Sequence, residues 1–298
     1  MEYRLLGKSA LNISRIGFGC MSLDPADPVS EQILQEALNL GINYFDTADL
    51  YQKGLNEEMV GRAFRGMRDK VIIASKAGNQ WRPDGSGWDW NPSKKYILQM
   101  AENSLRRLQT DYIDLYQLHG GTISDPMDET IGAFELLRAQ GKIRYYGISS
   151  IRPNVIREYI DRSGIVSVMM QYSLLDRRPE ESMLDLLHKK QIGVLARGSV
   201  ASGLLVSKPA APYLNYSAEQ VKLAADAIRE LSDEKRRPAQ TALWFVLQQP
   251  AITSAVVGIR TKEQLQEAVR TIDFPCLQKN EIKLLQQALP ANVYNEHR

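Results

Sequence analysis

Short β-branched apolar runs alternate along the chain with longer stretches in which apolar residues recur every three or four positions. The short runs predict eight strands, at Arg15–Gly19, Ile42–Asp46, Val71–Lys76, Ile113–His119, Tyr145–Ser149, Val168–Gln171, Gly193–Ala196 and Ser254–Val257. The longer stretches predict helices near Ser30–Leu40, Glu57–Phe64, Ser93–Leu108, Thr130–Ala139, Asn154–Asp161, Pro179–Lys189, Ala218–Lys235 and Lys262–Val269. Strands that alternate with helices belong to βα units around a parallel sheet. Eight such units in roughly 250 residues predict an α/β fold of the (β/α)8 TIM-barrel type rather than an open doubly wound sheet. A further helical segment, Ala239–Gln248, falls before the last strand, and Met1–Ser14 and Lys279–Arg298 read as additions to the barrel. No linker or charge run divides the chain, so residues 1–298 are expected to form a single domain.

Local chemistry marks several boundaries. Ser93 reads as an N-cap, with Ile97, Met100, Ala101, Leu105 and Leu108 following at helical spacing. Gly41 and Gly141 each follow an apolar helix, where a left-handed residue closes the last turn. Pro179 fits a first helical turn.

In a barrel of this type the βα loops form an open mouth at the C-terminal ends of the strands. A buried parallel strand should be apolar throughout, so a polar residue at its exit asks for an explanation. Seven consecutive strands, the second to the eighth, exit on such residues: Asp46, Lys76, Gln117 with His119, Ser149 with Ser150, Gln171, Arg197 and Arg260. One alone reads as a satisfied structural group; seven together line a site. Tyr51 lies five residues past Asp46 and folds back toward Lys76 and His119. A free phenol titrates near pH 10, too high for an efficient acid at neutral pH. A lysine ammonium about 4 Å away favours the phenolate by at most roughly 4 kcal/mol at an effective dielectric of about 20. Asp46 then holds Lys76 charged and aimed, and His119 donates to a substrate oxygen.

The composition narrows the class. Hydrophobic residues make up 44% and charged residues 24%, as in ordinary globular chains. Thirty-seven basic residues against 35 acidic ones leave a formal charge of +2, no global field for nucleic acid or an anionic membrane. Two cysteines, Cys20 and Cys276, build no disulfide framework and suit a reducing compartment. No apolar leader region and no run of some 18–20 apolar residues is present, so a cytoplasmic protein is expected.

The segments FDTADLY (Phe45–Tyr51), ASK (Ala74–Lys76), YQLH (Tyr116–His119), GISS (Gly147–Ser150), QYSLLDR (Gln171–Arg177) and GIRTKEQLQEA (Gly258–Ala268) resemble the aldo-keto reductase family. The likeness runs through essentially the whole chain, nearest to bacterial members related to the potassium-channel β-subunit branch. It implies a catalytic tetrad of Asp46, Tyr51, Lys76 and His119, with hydride transfer from a reduced nicotinamide to an aldehyde or ketone and a proton from Tyr51. It implies no metal. Lys76 is expected to lower the Tyr51 pKa. Ser149, Ser150 and Gln171 are implied to hold the carboxamide, and Gly19, Cys20, Met21 and Asp46 to border the nicotinamide. Gly198, Ser199, Val200, Ser202 and Gly203 match the loop over the pyrophosphate. Gly258, Arg260, Gln264 and Glu267 match the adenosine contacts. Arg197 stands where the family usually stacks an aromatic on the ring; a guanidinium also stacks, but disfavours the positively charged oxidised cofactor. Arg260 and Lys262 beside a helix start predict a 2′-phosphate and hence NADPH (NADP+). Ala268, in place of the usual asparagine, keeps NADH open.

Met21, Leu50, Tyr51, Trp88 and His119 are the expected substrate contacts, with Trp81–Trp90 a wall of the pocket and Gly120–Asp128 and Ser199–Asn215 its rim. Other readings give way. Gly17–Ser22 opens like a dinucleotide fingerprint but lacks the third glycine. No tyrosine is followed four residues later by lysine, and the three histidines share no ligand spacing. Cys20 reads as packing. The channel-related branch offers one alternative function, a cofactor-sensing regulatory subunit with slow turnover.

Overall fold

The computed structural model describes residues 1–298. Eight parallel strands close into a barrel: β1 (Ile16–Gly19), β2 (Tyr44–Asp46), β3 (Ile72–Ala77), β4 (Ile113–Leu118), β5 (Ile143–Ser149), β6 (Ser167–Gln171), β7 (Gly193–Arg197) and β8 (Ile252–Gly258). They pair in chain order, and β8 returns to β1 through Ala255–Ile16 and Gly258–Gly19. Around them run α1 (Pro28–Asn39), α2 (Leu55–Ala63), α3 (Lys94–Leu108), α4 (Met127–Ala139), α5 (Pro153–Arg162), α6 (Met183–Lys189), α7 (Ala218–Glu230), α8 (Pro238–Leu247), α9 (Lys262–Val269) and α10 (Lys279–Ala288).

All eight expected strands and all nine expected helices form, with shifted ends. Ile42 is not in β2, because its N–H closes the end of α1 on the Ala37 carbonyl. The expected helix Ala218–Lys235 stops at Glu230: the Asp233 carboxylate takes the N–H groups of Lys235 and Arg236 at 2.8 and 2.7 Å, a local turn that competes with the helix. Pro179–Lys189 divides at Ser182 into a single 3-10 turn, Arg178–Glu181, and α6. Ser93 caps α3 by accepting from Tyr96 N, and Gly41 and Gly141 carry φ of +93° and +73°.

The period of two along a strand builds the mouth. One inward residue from each of six strands, Tyr44, Ala74, Leu115, Met169, Leu195 and Val256, forms a ten-residue apolar plug with Val166, Leu6, Leu11 and Ile13. The last three belong to the N-terminal hairpin, Tyr3–Leu5 paired with Asn12–Ser14, which covers the bottom of the barrel. Two residues past five of these six inward side chains stands the polar exit residue, Asp46, Lys76, Gln117, Gln171 or Arg197; past Val256 it is Gly258. The plug therefore fixes which side chains the barrel aims upward. Arg15, expected in the first strand, instead staples the hairpin to the barrel by donating to the carbonyls of Ile252 (2.7 Å) and Leu247. Burial, with Arg4 nearby, lowers its pKa to about 10.

Candidate active site

Lys76 is fully buried on β3, and its ammonium meets three oxygens: Asp46 Oδ1 at 2.5 Å, the Thr47 carbonyl at 2.8 Å and the Tyr51 hydroxyl at 3.4 Å. Three donors thus have three acceptors. Burial opposes its charge, but the Asp46 carboxylate and the Tyr51 oxygen outweigh that and hold the Lys76 pKa above an ordinary lysine. Asp46 receives a second bond, from Gln117 Nε2 at 3.4 Å. Tyr51 opens a short 3-10 turn, Tyr51–Gly54, whose Gln52 and Lys53 hold positive φ. That sharp bend is what returns the ring over the mouth. Its edge meets the His119 ring, with centroids 5.8 Å apart.

One expectation needs correction. Lys76 does draw the Tyr51 pKa down, yet burial of the phenol outweighs it, and the net direction is up. Tyr51 is a fully protonated donor across the physiological range. His119 moves the other way: burial, then the Lys76 and Arg197 cations, push it down to about 3. Its imidazole is neutral, and Nδ1 is buried without a partner in the chain. Proton NMR of His119 should accordingly register no titration between about pH 8 and pH 5, the window in which an unperturbed histidine charges; a midpoint near 6.5 contradicts the burial argument.

A cavity of about 760 Å³ opens above these groups. Of the sequence candidates, Gly19, Met21, Asp46, Leu50, Tyr51, Lys76, Trp88, His119, Ser149, Ser150, Arg197, Gly198, Ser202 and Gly258 line it. Cys20 lies beneath, fully buried, its thiol directed at the Phe18 carbonyl and kept protonated by burial. Gln171 stands aside from the lining, bonded to Tyr213 (2.6 Å) and to Arg197 (3.1 Å). Ser199, Val200 and Gly203 sit in the turn behind Gly198, where the Ser199 hydroxyl is buried without a partner. Arg260, Gln264 and Glu267 lie outside the cavity, the first two around the start of α9, whose cap is Thr261, and Glu267 in its last turn. Lys262, expected to reinforce Arg260, instead pairs with Glu36 of α1 at 3.3 Å, so Arg260 is the cation left at that helix end.

The tryptophan segment forms a hairpin, Asn79–Trp81 against Trp88–Trp90. Trp81 Nε1 donates to the Leu50 carbonyl (3.1 Å), tying the hairpin to the Tyr51 turn, and Trp90 Nε1 donates to Asp125 (2.9 Å). Trp88 and Trp90 both face the cavity. Sequence reasoning did not single out Asn79, Met169, Val256, Ile151 or Arg152, which also line it. Met169 and Val256 carried a signal, since each lies on the inward side of its strand; the loop residues carried none.

The family model for the aldo/keto reductase family matches residues 15–290. The chain belongs to this family. Among aldo/keto reductases it is 50% identical to an uncharacterized oxidoreductase of Bacillus subtilis, YqkF, over the full length of both chains. It superposes on the holo form of aldo-keto reductase AKR11C1 from Bacillus halodurans with a TM-score of 0.94 at 49% identity, covering 100% of this chain and 99% of that one. The glycerol dehydrogenase AKR11B4 of Gluconobacter oxydans gives 0.87 at 25% identity, covering 99% and 98%. The protein is an NAD(P)H-dependent oxidoreductase, and aldo/keto reductases act on small-molecule carbonyl compounds. No helix is long and apolar enough to cross a membrane. Its mouth fits a nicotinamide dinucleotide: Gly198 (φ +71°), Ser202 (φ +56°) and Gly203 (φ +93°) fold the loop after β7 into a tight turn, and the orphaned Ser199 hydroxyl lies in that turn.

Proposed function

We propose that the protein reduces aldehydes or ketones to alcohols with NADPH as the preferred donor and Tyr51 as the general acid. The observation that carries this reading is the single ammonium of Lys76 in contact with both Asp46 and the Tyr51 hydroxyl, beside a neutral His119. When bound, the reduced nicotinamide supplies a hydride from C4 to the carbonyl carbon. His119, neutral, orients the carbonyl oxygen by a hydrogen bond. Tyr51 Oη gives its proton to the alkoxide oxygen as that charge develops, and Lys76 stabilises the phenolate left behind. Asp46 keeps Lys76 charged. Ser149 and Ser150 would hold the carboxamide, and Arg197, steadied by Gln171, would lie against the ring. Gly19, Met21 and Gly258 would border the cofactor, while Met21, Leu50, Trp88 and His119 would hold the substrate.

Steady-state NADPH oxidation over a panel of aldehydes and ketones, run beside NADH, tests the reading. Sustained consumption supports it, and tight dinucleotide binding without turnover rejects it in favour of a cofactor sensor. Preference for NADPH rests on Arg260, the exposed cation at the start of α9. Arg260→Ala is expected to weaken NADPH binding roughly 10- to 100-fold, the loss of one charged hydrogen-bond partner. NADH binding should stay within about twofold. Equal losses for the two dinucleotides, measured by calorimetry, remove Arg260 from that role.

A further inference from the structure

The charged side chains lining the cavity do not balance. Asp46 and Lys76 cancel as an ion pair, which leaves two guanidiniums, Arg197 and Arg152, and no further acid in the lining. Arg197 sits on β7, on the side read as the nicotinamide side. Arg152 belongs to the loop after β5, at the cap of α5, and is half-buried. Its Nη1 donates to the Gly121 carbonyl at 2.5 Å, and it forms no ion pair with any carboxylate. The acid of the facing loop, Asp125, is already taken up by Thr122 N (2.7 Å), Thr122 Oγ1 (2.6 Å) and Trp90 Nε1 (2.9 Å). A half-buried cation in the cavity lining, anchored through one nitrogen and without an acidic partner, is an unmet electrostatic demand.

Its position defines what can meet that demand. Gly121 is two residues beyond His119, so the two Cα atoms are separated by at most about 7.6 Å along the chain. The guanidinium anchored on Gly121 therefore stands about one small molecule's length from the imidazole that orients the reacting carbonyl. Trp88, Trp90 and Ile151 supply apolar surface to the same lining. We infer that Arg152 selects the substrate: the carbonyl compound carries, a few atoms from the reacting carbon, a carboxylate or phosphate that the free edge of this guanidinium binds. A planar guanidinium is suited to either anion in a two-point contact. This inference rests on the carbonyl-reductase reading of the same cavity, and Arg152 acts on recognition, not on the proton.

Matched pairs of substrates test it. For the carboxylate source, 4-carboxybenzaldehyde is compared with 4-methylbenzaldehyde; for the phosphate source, glycolaldehyde phosphate with glycolaldehyde. The wild-type chain is expected to prefer the charged member of at least one pair, mainly through KM, and the pair that responds names the anion. Arg152→Gln keeps a donor for the Gly121 carbonyl but removes the charge. It should lower kcat/KM for the charged member roughly 10- to 100-fold and leave the neutral one within about twofold. Arg152→Lys should retain part of the preference, because the charge survives without the fork. A loss shared equally by charged and neutral members, or no preference in the wild type, overturns the inference. Calorimetry of 4-(hydroxymethyl)benzoate against 4-methylbenzyl alcohol, with and without NADP+, gives a readout independent of turnover. Binding of the anion that disappears in Arg152→Gln supports the assignment even if no carbonyl is reduced. Binding that is unchanged by the substitution overturns it even if reduction proceeds.

Discussion

Tyr51→Phe is expected to abolish carbonyl reduction while the protein folds and binds dinucleotide as before. The ring stays, and with it the edge contact to His119; only the hydroxyl oxygen, 3.4 Å from the Lys76 ammonium, is removed. Lys76 keeps its Asp46 and Thr47 partners, so no buried charge is stranded. A positioned general acid contributes typically about 10²- to 10⁴-fold, and kcat should fall within that range. NADPH affinity, followed by quenching of protein fluorescence, should change by less than about threefold, since the phenol proton takes no part in holding the dinucleotide. Normal kcat in this variant removes Tyr51 from the proton step. The raised pKa of the phenol sharpens the expectation: a tyrosine that stays protonated to high pH gives a flat acid limb, with reduction lost only on the alkaline side.

How far the sequence foretold this site depends on where each residue sits. Strand residues were legible because the barrel imposes two periods at once, apolar throughout where helices cover the strand and polar where the inward row emerges. Asp46, Lys76, Gln117 and Arg197 each stand two positions past a plugged apolar neighbour, a pattern visible in the letters alone. Capping residues were legible for a similar reason, being local chemistry. What could not be read was contact between distant loops. The Arg152–Gly121 bond joins residues 31 apart through two irregular βα loops, and Lys262 finds Glu36 only because β8 closes onto β1 and brings α9 beside α1. The net direction of the Tyr51 pKa is not legible in the letters, because a Coulombic contact can be guessed from neighbours, whereas desolvation depends on how completely the folded chain encloses the phenol.

Lys76→Met should cost both activity and stability, and the two losses can be separated. The substitution leaves the Asp46 carboxylate buried with Gln117 Nε2 as its remaining side-chain partner in the hydrogen-bond network. Removing one member of a buried ion pair typically destabilises by about 3–5 kcal/mol, because the charge left behind has no compensation. Denaturant unfolding should register a loss of that size at pH 7. Burial raises the Asp46 pKa above its unfolded value even with Lys76 present, and more strongly without it. The folded variant then binds a proton that the unfolded chain does not, so its deficit should shrink as pH falls toward the unfolded carboxyl value near 4 and grow as pH rises. The double variant Asp46→Asn, Lys76→Met removes both charges and should regain most of the stability at pH 7. Reduction should not return with it: without the ammonium the Tyr51 phenolate forms unassisted in a buried site. Both variants should therefore be as inactive as each other while differing in stability by several kcal/mol. A double variant that regains kcat along with stability means that Lys76 supports the fold and nothing more, and the proton step then has to be assigned to another group.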